Sequence, residues 1–182
     1  MALIRIVSVG DVNHELMQMI MRHVGEMFGC EVEREDRLSL PNPAYAYDEH
    51  KRQYSSTLIL RNLIQLCDPG DTKLLAITEL DLFIPMLTFV YGQAQLLGRA
   101  AIVSLARLKP EFYGLPPDKD LTVRRIRKEI SHELGHAFGL VHCAEKSCLM
   151  SLSTKITQVD LKSENFCRSC WIVLDENLKT MK

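Results

Sequence analysis

The chain has 182 residues, 47% hydrophobic and 25% charged, with a formal net charge of −1. That length builds one domain with a real core, or one domain with a small appendage. The near-neutral balance argues against nucleic acid or an acidic membrane as partner, since both call for a basic surface.

The N-terminus MALIRIVSVGDV has no basic leader and no small-residue cleavage site, so it reads as a first strand, Leu3–Val9, and not as a secretory signal. No transmembrane segment is visible, and a cytoplasmic location is expected. There the six cysteines are poor candidates for disulfides and better ones for metal. Asp11 is positioned to cap HELMQMIMRHVGEMF, whose apolar residues recur at helical spacing up to Gly29. Glu31–Arg37 is short, charged and strand-like. Leu40–Tyr47, with Pro41 and Pro43, reads as a loop, and Asp48–Leu66 as a second helix ending at the turn signal CDPGD. Lys73–Thr78 is a buried strand, Thr88–Tyr91 a short one, and RAAIVSL (Arg99–Leu105) a further one. Tyr113–Lys119 is a loop, after which Asp120 can cap a long helix from about Leu121 to Phe138. The tail after His142 is the least regular segment. Strands and helices alternate through the first two thirds, which predicts a layered α/β (α+β) fold. The whole chain, residues 1–182, reads as one domain. Its N-terminal portion, residues 1–142, carries the long helix, and its C-terminal portion, residues 143–182, is a cysteine-rich tail.

The chemistry is concentrated in HELGHAFGLVH, residues 132–142. On a helix, residues four apart share a face, so His132 and His136 can bind one zinc ion. Glu133 lies about 100° around the helix, beside the metal, which suits a general base acting on a zinc-bound water. Gly139 follows the last turn, where a left-handed conformation is cheap only for glycine. That turn brings His142 back as a third ligand. Three histidines leave a fourth position open, as in a catalytic zinc site. Val123, Ile126, Ile130, Leu134 and Ala137 form the apolar stripe of the same helix. Arg125, Lys128 and Glu129 read as a solvated face, with lining of the cleft entrance as the alternative.

Cys143, Cys148, Cys167 and Cys170 follow as two short-spaced pairs, a pattern that fits a closed four-thiolate zinc site. Unrelated buried thiols, or a redox pair at Cys167 and Cys170, are the alternatives. Cys30 and Cys67 read as core thiols. Two zinc ions, one catalytic and one structural, are therefore expected.

The run HELGHAFGLVHCAEKSCLM followed by CRSC resembles the archaemetzincin family of metzincin-clan zinc metallopeptidases. The upstream Asp81–Ala94, DLFIPMLTFVYGQA, also resembles that family's segment ahead of its edge strand. The resemblance implies a compact metzincin-like fold: a mixed twisted sheet, a long active-site helix and a small zinc-bound C-terminal subdomain. It also implies that Met150 is the Met-turn residue, an apolar floor beneath the catalytic zinc. No tyrosine stands beside Met150, unlike some metzincins. Tyr91 and Tyr113 remain as oxyanion-donor candidates, each reading first as a packing residue. The expected function is hydrolysis of a peptide or protein substrate paired with an exposed sheet edge at Arg99–Leu105. A catalytically silent or gated zinc protein of the same fold is the alternative, and a zinc-ribbon interaction module is a more distant one.

Overall fold

The structure is a computed structural model that describes residues 3–36, 40, 42–67 and 73–180. Residues 68–71 of the CDPGD turn, Arg37 at the end of the charged strand and Pro41 of the following loop lie outside the described residues. Three apolar runs form the centre of a five-stranded sheet: β1 (Leu3–Val9), β5 (Lys73–Thr78) and β9 (Ala100–Ser104). They are parallel, in the order β2-β1-β5-β9-β8, where β2 is Glu31–Arg34 and the antiparallel β8 is Gly92–Ala94.

Both faces of this sheet are covered at its centre, which is why β5 and β9 are buried along their whole length and read as near-continuous apolar runs. Ile4, Ile6, Leu75, Ile77, Ala101 and Val103 point to one face. There they meet α1 (His14–Phe28) and α3 (Lys119–Ala137). Val7, Val9, Leu74, Ala76, Ala100 and Ile102 point the other way, against α2 (Ser56–Leu66). A one-residue slip would exchange the two sets, so register is strongly specified. A second, four-stranded sheet has the order β3-β4-β6-β7, from Tyr47–Asp48, Gln53–Ser55, Leu82–Ile84 and Leu87–Val90. The result is the mixed α/β fold expected, with some elements shifted.

Several boundaries differ from expectation. Asn13, not Asp11, caps α1, its side chain accepting from the Leu16 N–H. Asp118, not Asp120, caps α3 in the same way through Leu121. The second helix begins at Ser56; residues 47–55 instead form the β3–β4 hairpin, with Arg52 at φ +56°. The tail is more regular than expected, holding α4 (Ile156–Leu161) and α5 (Arg168–Thr180). β9 is not an edge strand: it lies between β5 and β8 and all five of its residues are buried. The edge on that side is β8. The described residues include no helix long and apolar enough to cross a membrane.

Candidate active site and metal centres

α3 is anchored on the core by Ile126, Ile130, Leu134 and Ala137, all buried, with Val123 of the same stripe half-buried. Its polar side is not solvated. Arg125, Lys128 and Glu129 are buried, and each is tied to the segment around α4. Arg125 makes a bidentate pair with Asp160 at 2.7 Å on both arms and donates to the Leu108 carbonyl. Lys128 donates to the Val159 and Asp160 carbonyls. Glu129 pairs with the fully buried Lys162 at 2.7 Å. What reads as a charged surface is a polar interface, because partners thirty residues later fold back onto it. Glu129 also lines the cleft described below, as the alternative reading had it.

The last turns of α3 carry His132, Glu133 and His136. Beyond them the chain reverses at Gly139, φ +96°, with Gly139 N–H on the His136 carbonyl and Leu140 N–H on that of Gly135. This returns His142 to the other two histidines. Nε2 of His136 lies 3.1 Å from Nε2 of His132 and 3.3 Å from that of His142. His132 Nδ1 is 2.9 Å from the Leu149 carbonyl and His136 Nδ1 is 2.7 Å from that of Leu140. A carbonyl only accepts, so each of these Nδ1 atoms carries the proton and each Nε2 is left with a bare lone pair. Burial lowers the pKa of all three imidazoles, and the nearby Lys162 cation adds to it. Neutral rings with lone pairs turned on one another are repulsive unless a cation joins them, so this donor set fits a zinc ion.

Glu133 is buried beside this cluster, and burial with the neighbouring Glu129 pushes its carboxyl well above the usual carboxylate range. Its place depends on Gly92 of β8. A Cβ there would lie 2.5 Å from Glu133 Cγ, 2.8 Å from its Cδ and 2.7 Å from the Ile102 carbonyl oxygen. Gly135, between the two helical histidines, is similarly occupied: a Cβ would meet Met150 Sδ at 2.6 Å. Met150 is fully buried there, under the histidine helix. Sequence reasoning passed over both glycines. For Gly135 the sequence offers only the hint that an interior helical glycine costs about 1 kcal/mol and needs a packing reason, without saying which.

The cysteines form a second cluster. The Sγ atoms of Cys143, Cys148, Cys167 and Cys170 lie within 4.8 Å of one another, and no disulfide joins any of the six cysteines. The Cys170 N–H lowers the Cys167 thiol, while burial raises Cys148 and Cys170. Four sulfurs packed together, two of them reluctant to ionise alone, suit a cation that would hold all four as thiolates. Cys148 Sγ accepts from the Met150 and Cys167 N–H groups, and the Cys143 N–H donates to the Met150 carbonyl at 2.9 Å. Cys30 and Cys67 are not part of this set and pack at the margins of the two cores.

A cleft of about 340 Å³ opens over the histidines, walled by β7, Tyr91 and β8 on one side and Leu152–Thr154 on the other. Tyr91 lines it and is buried, while Tyr113 is exposed and donates to the Arg107 carbonyl at 3.0 Å. A helix and its return turn that offer three imidazoles, with a buried carboxylate alongside and an open cleft above, are found in the zinc metallopeptidases.

Residues 1–176 match peptidase family M54. An archaemetzincin of Methanocaldococcus jannaschii is 46% identical over 166 residues, covering 89% of this chain and 87% of that protein. The crystal structure of archaemetzincin from Methanopyrus kandleri superposes with a TM-score of 0.81 at 35% identity, covering 98% of this chain and 96% of that one. That of the Archaeoglobus fulgidus archaemetzincin, complexed with malonate, gives 0.80 at 31% identity over 94% and 99%. The chain therefore belongs to peptidase family M54, the archaemetzincins, and is a zinc metallopeptidase.

Proposed function

We propose that the chain hydrolyses peptide bonds at the three-histidine site, with His132, His136 and His142 holding zinc and Glu133 as the general base. The observation that carries this is the convergence of three Nε2 atoms, two of them left as bare lone pairs by Nδ1–H donation to carbonyls. Zinc bound there supplies a Lewis acid for the scissile carbonyl and lowers the pKa of a water. Glu133 takes a proton from the attacking water and passes it to the leaving nitrogen, and its raised affinity for that proton suits the second half of the transfer. The peptide lies along β8, whose outer side faces the cleft, as an added strand. β8 takes the place first assigned to Arg99–Leu105.

In the same reading Cys143, Cys148, Cys167 and Cys170 hold a second, structural zinc, and Met150 is the apolar floor under the histidines. Residues 143–182 act as a metal-clamped C-terminal portion of one domain, and the chain works in the cytoplasm, where thiols stay reduced.

A peptide-library digest comparing wild type with Glu133→Ala tests the reading. The variant keeps its zinc and loses about 10²- to 10⁴-fold in rate. Cleavage by Glu133→Ala at the wild-type rate sinks the mechanism, and no cleavage by zinc-loaded wild type favours a gated or silent protein.

Gly92→Ala checks the placement of the base. The added methyl overlaps Glu133 Cγ and Cδ, so kcat/KM should fall about 100-fold, mostly in kcat, with zinc content unchanged. Wild-type kcat in a folded Gly92→Ala protein would show that Glu133 has freedom to move aside.

A further inference from the structure

We propose that Asn177, in the last turn of α5, is a positioning residue for the third histidine. It acts through the return turn at Gly139, and its role rests on the reading of the three histidines as the zinc site.

His132 and His136 are placed by α3 itself. His142 lies beyond the end of that helix, so its position depends on how firmly the turn from Phe138 to Leu140 is held. The same turn carries the Leu140 carbonyl, 2.7 Å from His136 Nδ1. Two of the three ligands therefore follow the turn.

Two distant segments grip it. A helix leaves its last carbonyls without partners of its own. The carbonyl of Phe138, which caps α3, accepts from Asn177 Nδ2 at 2.7 Å. That of His136 accepts from the Leu97 N–H at 2.9 Å, as well as from that of Gly139. Both side chains also close on Gly139, where a Cβ would lie 3.0 Å from Asn177 Nδ2 and 2.8 Å from Leu97 Cδ1. Leu97, in the turn between β8 and β9, holds φ +48°, a strained conformation for its side chain that persists only where the surroundings enforce it.

Of the two, Asn177 is the one tied to the thiol cluster. Residues four and seven apart share a helix face, so Cys170, Leu174 and Asn177 lie along one side of α5. Leu174 is fully buried and seats that side on the core. Cys170 belongs to the thiol cluster, and Asn177, about two turns on, reaches the end of the histidine helix. Asparagine is a poor helix former, and the Phe138 carbonyl gives this one a tertiary reason for its place.

The test reads metal binding, apart from turnover. Protein with zinc kept at the thiols and removed from the histidines by a mild chelator is titrated with cobalt(II), followed by visible absorption. Asn177→Leu removes the donor and keeps the size of the side chain. It should bind cobalt about 10- to 100-fold more weakly, with the visible bands shifted from those of wild type. His142→Ala should weaken binding too. In that background Asn177→Leu should add less than about threefold, since the ligand it places is already gone. An equal loss in both backgrounds would make Asn177 a fold-supporting residue only and overturn the proposal, as would wild-type affinity and bands in Asn177→Leu. Asn177→Asp has the same shape but no proton to donate at neutral pH, and it takes over should Asn177→Leu fail to fold. Cobalt affinity unchanged by His142→Ala defeats the reading of the zinc site, and the role of Asn177 with it. Loss on His142→Ala without loss on Asn177→Leu keeps the site and defeats only the positioning.

Discussion

Changing Cys148 to Ser is expected to cost about 5 kcal/mol or more of stability, seen as a fall of about 10–20 °C in melting temperature for a chain of this size. The substitution removes little volume, so a loss of that size reports a metal clamp and not a cavity. Cys148 is the buried member of its cluster, 3.8 Å from Cys170 Sγ, and its sulfur already accepts two backbone N–H groups. Activity should fall with stability. Cys143 directly follows His142, its N–H holds the Met150 carbonyl, and the Leu149 carbonyl orients His132. One loop therefore serves both clusters, and loosening its cysteine end frees two histidines at the other. Metal analysis should give two zinc ions per wild-type chain and one for Cys148→Ser, and calorimetry gives the melting temperature. Two ions and an unshifted melt in the variant would rule out a structural zinc at the thiols.

β5 could be read to the residue because burial on both faces leaves an apolar run with polar ends, and β1 because its buried aliphatics stop at Gly10. The histidine site could be read because helix periodicity alone puts His132 and His136 on one face. Elements decided by distant partners could not. DEHKRQYS, before α2, has a composition compatible with helix, yet pairing of Tyr54 with Leu82 and Ser55 with Phe83 makes its end a strand. Nothing local in RAAIVSL says whether it is an edge, since strand order is a tertiary property. Arg125, Lys128 and Glu129 have a surface composition, and only the return of residues 159–162 turns that face inward. The helix caps were missed by two residues each, because several side chains near each start can accept an N–H and docking of the helix decides among them. Gly92 and Gly135 carry meaning only once Glu133 and Met150 are in place beside them.

Lys162→Met should destabilise the protein by about 3–5 kcal/mol, although lysine and methionine are close in length. The side chains of Lys162 and Glu129 are 0% and 4% exposed, so water cannot screen a carboxylate left alone there. The cost belongs to the orphaned charge and not to the lost attraction. That distinction can be measured. Lys162→Met combined with Glu129→Leu should recover most of the loss, since a buried ion pair replaced by apolar groups of similar volume is often neutral or stabilising. A double variant no more stable than Lys162→Met would place the effect in packing around α4 instead. The activities should not recover in parallel. Lys162 favours the charged form of Glu133, while Glu129 and burial oppose it. In Lys162→Met the base loses its only favourable neighbour among those groups, its pKa rises further, and the acid limb of the pH–rate profile moves to higher pH. In the double variant the opposing Glu129 charge is gone as well, and the limb should move back. Stability and pH profile together then separate a pair retained to hold α4 against the active-site helix from one that also sets the charge on the base.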